Sequence, residues 1–126
     1  MHSLENRHYS PMFWQKRQAL ADFKKQKPMF EQLMNMTRNC MRAHPELEND
    51  VKGAIACETI HPQTMSQFSN FTFHTHPHGD IDYPSETDKN TTNNLNKEYL
   101  LIGLAPKNKV VVYHKSDNFE KKIAEF

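Results

Sequence analysis

Apolar residues recur along this chain at two different steps. Between residues 29 and 43, Phe30, Leu33, Met34, Thr37, Cys40 and Met41 follow one another at three and four, which predicts one face of a helix. A Met-rich stripe at this spacing reads as core. His44-Pro45 ends it, because the residue before proline avoids helical geometry. Another helical pattern precedes it from Pro11 to Lys27, with Ser10 as cap and Pro11 in the first turn; Pro28 separates the two. Further on the step becomes two. Phe71-Thr-Phe-His-Thr-His76 alternates, so Phe71 and Phe73 share one face and Thr72, His74 and His76 the other. Val51–Cys57, Tyr99–Ala105 and Lys109–His114 are short apolar runs that predict buried strands, the last two joined as a hairpin through Pro106–Asn108. Ser85 caps a helix with Glu86 and Asp88 in its first turn, running to about Lys97. Residues 59–70 are polar and turn-rich, 118–126 suit a short strand or helix, and 1–10 read as a flexible leader. The order α-α-β-β-α-β-β predicts a mixed α/β (α+β) fold, a small twisted mixed sheet flanked by helices. Residues 1–28 are expected to form a basic helical extension and 29–126 the main domain.

Composition narrows this picture. A length of 126 residues allows one domain. The longest apolar run, 99–105, is far below the roughly 20 residues of a membrane span. The first eleven residues carry no apolar signal core, so a cytoplasmic, non-secreted chain is expected. Cys40 and Cys57 form no C-x-x-C pair, and neither a disulfide framework nor a zinc ribbon is expected. Lys and Arg total 16 against 15 Asp and Glu, a balance that argues against a general polyanion-binding surface. Lys16, Arg17, Lys24, Lys25 and Lys27 are concentrated on the first helix, where they read as a solvated face. Histidine is the excess: there are eight, and His61, His74, His76 and His78 fall in one window.

That window carries candidate chemistry. On a strand, His74 and His76 leave the same face about 6.5–7 Å apart. They can converge on one ion at about 2.0–2.1 Å from each nitrogen. A loop then returns the chain to Asp88 as a third ligand. A His2Asp set leaves one tetrahedral position open, the pattern of catalytic rather than structural zinc. Zinc lowers the pKa of a bound water to about 7, and a nearby carboxylate would carry its proton to the leaving amine. Ser85, three residues before Asp88, is placed to donate to a developing oxyanion, an interaction of roughly 3–4 kcal/mol in a pre-organised site. The plain alternative is a surface strand with two histidines beside an ordinary helix cap. The joint occurrence of H-x-H-P, a Gly79-Asp80 turn, P-S-x-x-D and a following helix argues against it. His78 points away from His76 by strand alternation, and His61 reads as structural.

The run His74-x-His76-Pro77, then Pro84-Ser85-x-x-Asp88, resembles the signature of the JAMM (MPN+ or JAB) zinc metalloprotease family. The Gly79-Asp80 turn is similar to that of its RadC-like branch. The resemblance covers about residues 30–115. It implies a cytidine-deaminase-like architecture in trimmed form, Zn2+ held by His74, His76 and Asp88, and hydrolysis of peptide or isopeptide bonds. The implied substrate is the C-terminal tail of a ubiquitin-like or sulfur-carrier-type protein, laid along an exposed strand edge.

The chain departs from the family pattern in three places. Eight residues, 77–84, separate His76 from Ser85, one more than is common. The family's upstream Glu falls on Asp50, three before Gly53, a side chain one methylene shorter. Glu46 and Glu48 lie just upstream, and Glu58 beyond the predicted strand is the other candidate base. The 58–70 segment is also shorter than usual. Two other readings stay open: a zinc-binding but weakly active or non-catalytic MPN-type interaction module, and a RadC-like factor associated with nucleic acid. The near-neutral charge disfavours the latter.

Overall fold

A computed structural model describes residues 11–126; the 1–10 leader, with His2 and His8, lies outside the described residues. The fold is mixed α/β, and the described residues form three α-helices and a four-stranded mixed sheet. Helix α1 spans Pro11–Lys25 and α2 Lys27–Ala43, with Pro28 in the first turn of α2, where its missing N–H costs nothing. Strand β1 is Phe71–His76, α3 Glu86–Asn94, β2 Tyr99–Leu104, β3 Lys109–His114 and β4 Ala124–Glu125. The sheet order is β1-β2-β3-β4. β1 and β2 are parallel, with His74 opposite Ile102 and His76 opposite Leu104; the remaining pairs are antiparallel. A parallel pair needs a crossover, and α3 supplies it.

The step-of-two pattern sorts the two faces as expected. Phe71 and Phe73 join Tyr99, Leu101, Val110 and Val112 under α1 and α2. Phe30 stacks on Phe73 with centroids 4.3 Å apart, and Phe23 meets Phe71 and Tyr99 edge-on at 5.1 and 5.3 Å. Leu100, Ile102, Leu104, Val111, Tyr113 and Phe119 fill the opposite face. There the hydroxyls of Thr72 and Thr92 bond at 2.7 Å and tie β1 to α3. Gly103 permits the close approach of Phe73: a Cβ would stand 2.6 Å from Phe73 Cζ and 3.0 Å from Met34 Cγ. Gly103→Ala is therefore expected to lower stability by about 1–3 kcal/mol through overpacking, read as a shifted urea midpoint with unchanged m.

Two expectations are revised. Val51–Cys57 is not a strand: Gly53–Cys57 is a 3-10 helix, with only Ala54 and Cys57 buried. Asp50 decides this locally, its Oδ1 accepting the Gly53 N–H and its carbonyl the Ala54 N–H, both at 3.0 Å, so turn chemistry outcompetes a ladder. Cys40 and Cys57 are bonded, with Cα atoms 5.5 Å apart and a sequence separation of 17. Tertiary proximity of α2 to the 3-10 helix sets that pairing, which sequence spacing does not disclose. Ala19 and Phe23 of the first helix are part of the main core. The tail closes the sheet through β4, paired at Val111 and Val112. No described helix is long and apolar enough to cross a membrane.

Candidate functional site

The site forms where β1 ends against the start of α3. Strand alternation turns His74 and His76 toward α3, and a capping box fixes Asp88 opposite them. Ser85 Oγ accepts the Asp88 N–H at 3.0 Å, and the Ser85 N–H donates to Asp88 Oδ2 at 3.1 Å. His74, His76 and Asp88 are all at most 6% exposed, so whatever they do is done in a largely water-free corner.

His76 faces an acceptor on each side. Its Nε2–H donates to Asp88 Oδ2 at 3.1 Å and its Nδ1–H to the Ile81 carbonyl at 2.7 Å. Burial alone would lower its pKa; the Asp88 and Ile81 bonds and the charges of Asp88 and Glu58 outweigh it and hold the pKa above the usual value. Burial would likewise raise Asp88, but the His76 bond, the His74 charge and the Ser85 N–H hold its pKa below the usual carboxylate value. His74 sits with Nδ1 3.8 Å from Asp88 Oδ1, and its Nε2 is buried without a hydrogen-bond partner. Desolvation lowers its pKa below the usual value, opposed by Asp88 and assisted by His76.

Glu58, Ser85, His76 and Asp88 line one cleft of about 240 Å3 together with Val51, Lys52, Ile55 and Ile81. Burial pushes Glu58 up to about 7, with His76 lowering and Asp88 raising it. The backbone beside it is pinned. The Thr59 N–H donates to Thr75 Oγ1 at 2.8 Å, and the Thr75 N–H to the Thr59 carbonyl at 3.0 Å. On its other side Cys57 is held by the disulfide and by Thr37 Oγ1, which donates to the Cys57 carbonyl at 2.9 Å.

The other carboxylate candidates lie elsewhere. Asp50 is exposed, occupied with the Gly53 N–H, and does not line the cleft. Glu46 pairs with His44 at 3.3 Å on the surface, and Glu48 borders a separate depression. Ser85 is at the cleft; its oxygen accepts the cap bond through a lone pair, which leaves its own proton available to a ligand. His78 lines the cleft wall with a buried, unpartnered Nε2, while His61 accepts the Gln63 N–H at 3.0 Å and caps the Pro62–Met65 turn. Two contributors escaped the sequence reading: the Ile81 carbonyl, and Tyr113, whose hydroxyl donates to the Asp82 carbonyl at 2.5 Å and holds the loop. A backbone carbonyl leaves no trace in side-chain spacing.

Among the described residues, no three His, Cys, Asp or Glu side chains already stand as a metal shell. The donor chemistry nonetheless suits a borderline cation. His74 keeps an uncommitted ring nitrogen, and His76 has its second ring nitrogen anchored on a carbonyl, the outer contact that orients metal-binding imidazoles. Asp88 lies against both, with its pKa held below the usual carboxylate value. The chain matches no protein-family model, no curated protein and no solved structure.

Proposed function

We propose that this chain is a JAMM-type zinc-dependent metallopeptidase or isopeptidase, acting on the C-terminal tail of a ubiquitin-like protein or protein adduct. The observation that carries this reading is the convergence of Glu58, Ser85, His76 and Asp88 on one cleft, with His74 beside Asp88. His74, His76 and Asp88 would hold the ion. Zinc bound there supplies Lewis acidity, polarising an acyl carbonyl and acidifying water. Glu58 takes a proton from the attacking water and returns it to the leaving amine, a task suited to a carboxylate that titrates near neutral pH. The Ser85 hydroxyl donates to the oxygen that gains charge. The Ile81 carbonyl keeps the His76 ring in one orientation. A small mixed sheet with the H-x-H strand beside the P-S-x-x-D helix supports the trimmed JAMM arrangement.

Metal analysis of the purified protein should return about one zinc per chain. His74→Ala with His76→Ala should abolish it without unfolding the sheet. Metal-free protein that takes up no zinc on dialysis would sink the proposal. The same outcome would favour the rival reading, a non-catalytic interaction module. One observation favours that rival: Asp88 is already satisfied by His76 and the Ser85 N–H.

A further inference from the structure

Resting on the peptidase reading above, we infer that the cleft beside Glu58 is a subsite for one bulky aliphatic or aromatic side chain of the substrate, carried by a residue adjoining the scissile bond. Val51, Ile55 and Ile81 form its wall. Isolated apolar residues on a surface need no explanation. These differ because they converge. Val51 and Ile55 are 56% and 61% exposed, yet both border the same concavity as Glu58, His76 and Asp88.

The local fold causes this. A strand over 51–57 would have put Val51, Ile55 and Cys57 on one face. The turn and 3-10 helix instead send Ala54 and Cys57 inward and leave Val51 and Ile55 at the cleft. The disulfide and the Thr37 bond fix that wall to α2. Size limits the occupant as well. A space of about 240 Å3 falls below the roughly 300–1,000 Å3 of drug-sized pockets, so it suits a side chain with flanking backbone rather than a folded surface. A glycine at that position would leave the wall facing water, whereas a leucine or phenylalanine removes apolar area on both partners.

The test uses the full chain and two arms. In the first, quenched peptides differing only at the residues flanking the scissile bond are given to the zinc-loaded protein. A Leu or Phe at one flanking position should raise kcat/KM about 10- to 100-fold over Gly. Ile55→Ser should erase that preference. Phe68→Ser, a change at a still more exposed apolar position outside the cleft, should keep it. In the second arm, methyl resonances of Val51, Ile55 and Ile81 in the metal-free protein are followed while a blocked Leu peptide or its Gly counterpart is added. Only the Leu peptide should shift them. Cleavage without preference, or equal shifts with both peptides, overturns the subsite and leaves the peptidase reading standing. Selective shifts with no cleavage of any peptide overturn the peptidase reading and keep the subsite. Neither shifts nor cleavage overturns both.

Discussion

Glu58→Gln should lower the cleavage rate of the zinc-loaded protein by about 10²- to 10⁴-fold, the range for losing a positioned general base. Gln has the shape of Glu and cannot take a proton. It removes the chemistry without opening a cavity, and because Glu58 is outside the proposed donor set, zinc content should stay at the wild-type level. Asp50→Asn should leave the rate near wild type, since Asn still accepts the Gly53 N–H. Measuring both variants at full metal loading separates the two candidates. A Glu58→Gln protein with full zinc and an intact rate would rule Glu58 out as the base. The physical ground is position: Glu58 lines the cleft beside His76, while Asp50 is spent on a turn at the surface.

The second large effect concerns the Cys40–Cys57 bond. It ties α2 to the segment that ends at Glu58, and a loop of this length stabilises the fold by about 3 kcal/mol in the chain-entropy account. Reduction, or Cys40→Ser with Cys57→Ser, should lower the urea midpoint correspondingly. Cleavage should fall as well, because the cleft wall then rests on the Thr37 and Thr59 contacts alone. Protein purified without reductant should show no thiol reactive to maleimide until it is reduced and unfolded. Two reactive thiols in the native protein would refute the bond. The bond also bears on location. Reducing compartments keep such thiols apart, so it counts against the cytoplasmic expectation.

Legibility in the sequence followed the range of the forces involved. The H-x-H strand and the Ser85–Asp88 cap depend on spacings of two and three residues, so periodicity and cap chemistry disclose them directly. The β2–β3 hairpin is equally local. Val51–Cys57 misled because its apolar content suits a strand, whereas Asp50 and Gly53 commit it to a turn. The proposed base moves with it. A strand would have made Asp50 the position to compare with the family's Glu, and a 3-10 helix brings the far end, Glu58, to the cleft instead. The disulfide, the Ile81 carbonyl and the Tyr113 strut arise only once distant segments meet.

The 59–61 segment also seals an edge. The Thr75 N–H donates to the Thr59 carbonyl, the His61 N–H to the Phe73 carbonyl, and Ile60 bridges to His74, so the outer side of β1 is already occupied. Unpaired strand edges invite other chains to add on, and here the strand bearing the histidines offers little purchase to a stray strand. On the proposed peptidase reading, the outer side of β1 is therefore not the exposed edge to which a substrate tail would add. Entry across the cleft mouth would leave side-chain fit rather than backbone pairing to decide what is held.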